Sequence, residues 1–173
     1  RGRARIVGDQ AVGTLPGTPG RDVLLGTSAD EAMNGLGGND VLCGGGGDDT
    51  IYGGTGFDNL AGDDGDDSLY GQGGCDYLRG GTGNDVLVPG PSGSAGAGTL
   101  DGQGGRDRFV ISAAGRNDVF GGLGKDTLDF RKSPVGILVE LVEHPPTYDF
   151  IDVLTTNSAI YEVEAVFGSQ FAD

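Results

Sequence analysis

The chain has 173 residues, of which 26 are acidic, 11 basic and 37 glycine, for a formal net charge of −15. So acidic a chain lacks the basic footprint that nucleic acid requires, and an anionic membrane repels it. No apolar run approaches the ~20 residues that span a bilayer, and glycine and charge at this level are the composition of disorder unless something orders the chain.

The sequence opens on Arg1, with no charged segment leading into an apolar one. A signal already removed, or a fragment of a longer secreted protein, is the expectation. Residues 1–16 read as a degenerate coil, with Ile6 and Leu15 nine apart and no accompanying acids. From Gly17 a nine-residue beat takes over. Eight units run without a gap from 17 to 88: GTPGRDVLL, GTSADEAMN, GLGGNDVLC, GGGGDDTIY, GGTGFDNLA, GDDGDDSLY, GQGGCDYLR and GGTGNDVLV. Position 1 is always glycine. Position 4 is glycine except at Ala29, and position 6 is aspartate except at Glu31. Position 8 is always apolar: Leu24, Met33, Leu42, Ile51, Leu60, Leu69, Leu78 and Leu87. A flexible glycine linker has no reason to hold four columns in register.

Residues 89–129 continue the beat with interruptions. Pro89-Gly90-Pro91-Ser92 is inserted. The next unit keeps Leu100 but has Gly98 where the acid belongs. The following one is intact at Asp107 and Phe109, Ile111 is one residue too many, Asn117 replaces the next acid, and the last unit is complete at Asp126 and Leu128. Residues 130–173 abandon the repeat. Strand candidates lie at 135–143, 148–154 and from 160 onward, and the final GSQFAD matches positions 1–6 of a unit, with Asp173 at position 6.

Each unit reads as a glycine-rich turn followed by a short strand in which position 8 faces one way and positions 7 and 9 the other. One such strand buries almost nothing, but coils stacked on one another bury a continuous apolar column. Two units per coil predict an all-β chain, a parallel β-roll. Residues 18 apart then stack at ~4.8 Å, and the twelve units from 17 to 129 make about six coils, roughly 30 Å long on that spacing.

Stacking at 18 sorts the position-6 acids into two columns: Asp22, Asp40, Asp58 and Asp76 in one, Glu31, Asp49, Asp67 and Asp85 in the other. Carboxylates this close cannot all stay ionised unaided. Carboxylates together with bared backbone carbonyls form an oxygen-only ligand set that suits calcium, whereas magnesium demands stricter geometry. Zinc favours His or Cys, and the single histidine, His144, lies outside the repeats.

The consensus GGxGxDxUx resembles the repeats-in-toxin (RTX) family of secreted bacterial proteins, and this nonapeptide is a recognised calcium-binding repeat. The resemblance implies a right-handed β-solenoid with calcium between successive coils, held by position-6 acids and loop carbonyls. It implies six sites, at Asp22/Asp40, Asp40/Asp58, Asp58/Asp76, Glu31/Asp49, Asp49/Asp67 and Asp67/Asp85. Asp107 and Asp126 are further candidates, although Ile111 makes their spacing 19 and sets their register apart. Gly98 and Asn117 are expected to weaken their sites, and Glu31 to crowd its own. The chain between 17 and 88 holds 13 acids against two bases, so calcium binding would become folding free energy. That suits a protein unfolded in a low-calcium cytosol and folded, secreted, outside the cell or at its surface. The stretch around Glu164-Ala165 resembles the point at which strand-rich inserts of this family return to the roll.

The expected role is structural, without catalysis, and adhesive or self-associating head to tail through the roll ends. The alternatives are an accessory domain of an extracellular enzyme and a glycan-binding roll. Position 9 places Tyr52, Tyr70 and Val88 in one outward ladder, read first as packing that shields the sheet. Thr55 and Thr82 at position 3 are too few for a regular threonine row. Cys43 and Cys75 lie two coils apart, ~9–10 Å along the axis, too far for a relaxed disulfide, and are expected as free thiols or links to another chain. His144, with Glu140, Glu143 and Asp149 nearby in sequence, reads as a loop residue.

Overall fold

Leu42 and Leu60 are direct partners in adjacent parallel strands, and Leu60 pairs in turn with Leu78. The same step of 18 joins Met33, Ile51, Leu69 and Leu87. The computed structural model describes residues 4–7, 13–90, 97–111, 116–130, 138–141, 150–154, 159–161 and 165–167. Two parallel sheets lie back to back, and the chain alternates between them with every unit. One runs through Ala4–Val7, Asp22–Leu25, Val41–Gly46, Asn59–Asp64, Tyr77–Thr82, Ala97–Gly105 and Arg116–Phe120. The other runs through Gly13–Pro16, Glu31–Asn34, Thr50–Gly56, Ser68–Gly74, Val86–Val88, Arg108–Val110 and Thr127–Asp129. This is an all-β parallel roll of about six turns, and the described residues contain no helix.

The core is the position-8 column. Leu24, Met33, Leu42, Ile51, Leu60, Leu69, Leu78, Leu87, Leu100, Phe109, Val119 and Leu128 are all fully or almost fully buried. Each leucine hidden this way contributes about 1.5–3 kcal/mol, and each finds that partner only in the coils above and below. Ile6 pairs with Leu24 and Leu15 with Met33, so Ala4–Val7 and Gly13–Pro16 extend the two sheets in register.

Several strands are longer than the short segment expected after each turn, reaching six or seven residues from Val41 to Thr82. Pairing continues through the glycine-rich segment, with Gly45 opposite Asp63 and Gly54, Thr55 and Gly56 opposite Gln72, Gly73 and Gly74. A left-handed residue at position 2 bends the strand without ending its ladder, so turn as well as strand is stacked.

The apolar stack continues through the interruptions. Leu87 pairs with Phe109 and Leu78 with Leu100 across 22 residues, so register is kept over the four extra residues, and Pro89 and Gly90 lie against Gly71 and Gln72 of the coil before. Leu100 pairs with Val119 and Phe109 with Leu128 across 19. The extra Ile111 is buried in the core beside Phe109 and Phe130, so register resumes beyond it.

The described residues after Phe130 lie in four short strands. Leu138–Leu141, Phe150–Leu154 and Ala159–Tyr161 form an antiparallel set whose last member runs parallel to Arg116–Phe120. Ala165–Phe167 returns to pair in parallel with Thr127–Asp129. The expectations for His144, Glu143, Asp149 and the closing residues 168–173 lie outside the described residues.

Candidate metal centre

A position-6 acid sits where the turn re-enters the strand, and the alternation that sends position 8 inward also turns position 6 inward. All ten acids singled out from the sequence, Asp22, Glu31, Asp40, Asp49, Asp58, Asp67, Asp76, Asp85, Asp107 and Asp126, are at most 6 % exposed. Eight of them are clamped to the next coil through the main-chain amide. The amide of Asp22 donates to Oδ1 of Asp40 at 2.8 Å, that of Asp40 to Asp58 at 2.8 Å and that of Asp58 to Asp76 at 2.9 Å. In the other column Glu31 donates to Asp49, Asp49 to Asp67 and Asp67 to Asp85, at 2.7–2.8 Å. The carbonyls of Asp40, Asp58 and Asp76 accept the amides of Asn59, Tyr77 and Thr99 from the coil beyond.

Oδ1 is thus satisfied and Oδ2 is not. Asp40, Asp49, Asp58, Asp67, Asp76, Asp85 and Asp107 each bury an Oδ2 atom that receives no hydrogen bond. An orphaned buried carboxylate oxygen is costly, and seven in regular array are a pattern rather than a defect. A concave space beside each is lined with further oxygen. A β-carbon added at Gly53 would lie 2.7 Å from Oδ2 of Asp58 and 3.0 Å from the carbonyl oxygen of Gly71. One added at Gly71 would lie 2.5 Å from Oδ2 of Asp76 and 2.7 Å from the carbonyl of Pro89. Position 1 is glycine because any side chain there would fill this cradle. Among the described residues no three carboxylate, thiol or imidazole groups converge on one point. A cation here would therefore be held by carboxylate and carbonyl oxygen in combination, the hard ligand set of calcium.

Burial pushes the carboxyls of Asp49, Asp76 and Asp85 up to about 7, and those of Asp67 and Asp107 up to about 6. Asp40 and Asp58 rise for the same reason. The donated amide opposes the rise in each case, and neighbouring carboxylates add to it. The columns are therefore poised to take up protons when no cation is present.

The family model for the RTX calcium-binding nonapeptide repeat matches at residues 16–51, 25–60 and 52–87. Residues 16–87 are RTX calcium-binding repeats. No curated protein is significantly similar to the chain. The matched RTX repeats end before the insert, yet one column does not. The amide of Asp85 reaches Oδ1 of Asp107, and that of Asp107 reaches Oδ1 of Asp126, at 2.9 and 2.8 Å. The expected change of register at Ile111 does not separate Asp107 from Asp126. The other column ends at Asp76, because Gly98 offers no side chain to the coil stacked on it.

A second ladder beside the RTX acids was not legible as a site. At position 5, Oδ1 of Asp30 accepts the amide of Asp48, Oδ1 of Asp48 that of Asp66, and Oδ1 of Asp66 that of Asn84. It runs opposite to the position-6 ladder and faces solvent. Its trace in the sequence is the pair Asp30-Glu31, Asp48-Asp49, Asp66-Asp67, Asn84-Asp85, recurring every second unit. Asp63 instead bridges Cys43 and Arg79: the thiol donates to Oδ2 and the guanidinium to Oδ1, each at 2.7 Å. Both cysteines are free thiols. Tyr52 and Tyr70 stack with ring centroids 4.9 Å apart and planes 14° from parallel. Their faces are spent on each other, which favours the shielding role over a flat platform for sugars.

Proposed function

We propose that this chain is a structural module that folds on calcium outside the cell, with several ions held along its two acid columns. The observation that carries this reading is the row of seven buried Oδ2 atoms without partners, five of them beside a glycine carbonyl of the neighbouring coil and that of Asp76 beside the carbonyl of Pro89. Calcium supplies the positive charge that those carboxylates otherwise lack. The chain's own residues do the rest. Position-6 amides orient each carboxylate through Oδ1, position-1 glycines keep the cradle open, and the position-8 column excludes water beneath it.

Without cations, the buried acids and the entropy of so many glycines oppose folding. With them, ligation and stacking are one event, because each cradle exists only when two coils are in register. A protein built this way stays unfolded where calcium is scarce and folds where it is abundant, which supports secretion and an extracellular or cell-surface location. Far-ultraviolet circular dichroism during a calcium titration from chelator tests this, with magnesium as control. A cooperative coil-to-strand transition with calcium alone is the expected result. A chain already fully stranded in chelator at neutral pH would overturn the reading.

A further inference from the structure

The first acid of each column differs from those that follow. Asp22 and Glu31 are buried like the rest, but neither has an orphaned oxygen. Oδ2 of Asp22 accepts the amide of Thr18 at 2.5 Å and its hydroxyl at 3.0 Å, and Oδ1 lies 3.1 Å from the same hydroxyl. Oε2 of Glu31 accepts the amide of Thr27 at 3.0 Å, and Oε1 accepts its hydroxyl at 2.5 Å. Both threonines stand at position 2 of their units. From Leu36 onward, position 2 is left-handed, at Leu36, Gly45, Gly54, Asp63, Gln72 and Gly81 among others, whereas Thr18 and Thr27 are not. The ordinary backbone there turns the amide toward the acid, and none of those later residues carries a hydroxyl. One coil earlier, Ala4 and Gly13 pair with Asp22 and Glu31, so no carboxylate precedes either of them in its column.

We infer that Thr18 and Thr27 close off Asp22 and Glu31 with neutral donors, so that neither carboxylate holds calcium and the two ion columns begin at Asp40 and Asp49. The inference rests on the calcium reading above and narrows it. An amide and a hydroxyl fill the lone pairs that face the cradle, and a cation entering there would have to displace both. Interior acids have no such donors, and their Oδ2 atoms have only carbonyl oxygens nearby. The first cradles have the same lining as the rest, since a β-carbon at Gly17 would lie 2.8 Å from Oδ2 of Asp22 and 2.7 Å from the carbonyl oxygen of Gly35. What sets them apart is that the threonine donors already occupy the carboxylate oxygens.

The test is anomalous X-ray scattering from crystals of the calcium-loaded chain. Calcium peaks bonded to Asp40 and Asp49, with none bonded to Asp22 or Glu31, are expected. A calcium bonded to either of those two carboxylates overturns the inference. Native mass spectrometry reads the same point in solution. Asp22→Asn with Glu31→Gln should leave the ion count unchanged, whereas Asp58→Asn with Asp67→Asn should lower it by at least two. A lowered count in the first pair overturns the inference. A wild-type chain that binds no calcium at all removes the calcium reading itself, a failure separate from either.

Discussion

The backbone amide of Asp85 donates to Oδ1 of Asp107 at 2.9 Å, although 22 residues separate them. The four extra residues do not shift the column, and the acid beyond them lands where an 18-residue step would have put it. Asp107 therefore belongs to one column with Asp49, Asp67, Asp85 and Asp126.

That placement sets two substitutions apart. Asp107→Asn keeps an oxygen for the Asp85 amide and removes a buried charge. In chelator at pH 5, where protonated columns let the calcium-free chain fold, it should be about as stable as wild type, and in saturating calcium at pH 8 less stable. Asp107→Ala strands the Asp85 amide as well, at a cost of about 1–3 kcal/mol in either condition. Urea denaturation under the two conditions distinguishes them. Equal behaviour of the two variants in chelator at pH 5 would contradict the ladder.

The pH dependence of the calcium-free chain follows from the raised carboxyls. Asp49, Asp76 and Asp85 stand near 7, and Asp67 and Asp107 near 6, against 3.8 for an unperturbed aspartate. Between those values the folded state binds more protons than the unfolded one. Stability is therefore fully present below about pH 4 and falls as pH rises toward 7. Decalcified protein should gain strand content on acidification from pH 8 to 5. Calcium affinity should move the other way, weakening below pH 7 as protons compete for Oδ2. Circular dichroism and calcium titration at pH 5.5 and 8 check both signs.

Position 2 alternates along each edge. In one series Gly45, Asp63, Gly81, Gln103 and Gly122 follow one another, all left-handed. A β-carbon at Gly81 would run into the Asp63 backbone, at a φ of +130°. Gly81→Ala should destabilise the loaded roll by more than 1 kcal/mol, through clash and strain together. Gln103→Gly, at φ +71°, should be close to neutral because it relieves the same strain. Thermal melts in calcium read the contrast.

Leu60 is fully buried between Leu42 and Leu78. Leu60→Ala leaves a cavity with leucine above and below it and should cost about 2–5 kcal/mol. Leu15, only partly buried against the core, should cost less when truncated. A solenoid transmits such damage to its nearest coils first, and amide exchange should show lost protection centred on the coils next to residue 60.

Cys43 is a poor nucleophile in this setting. Burial, helped by Asp63, pushes its thiol up to about 11. At pH 8 the thiolate fraction is then on the order of 100-fold below that of a free cysteine. Iodoacetamide should alkylate Cys43 that much more slowly in the loaded protein than in urea, as peptide mapping would show.

The nonapeptide beat by itself determined the core column from Leu24 to Leu128, the parallel coils and the burial of the ten acids. Those features follow from a period and an alternation, which a linear sequence displays directly. It also anticipated the stacking of Tyr52 on Tyr70, since residues 18 apart must meet. Only the tertiary structure decided which amide meets which carboxylate. It carried Asp85 to Asp107 across the insert, buried Ile111 as core, laddered Asp30 through Asn84 on the outside, and turned Thr18 and Thr27 onto the first acids. Each of these depends on the sign of φ at one turn residue or on how extra residues fall between paired strands. Such choices are settled by contact between coils, and linear spacing does not record them.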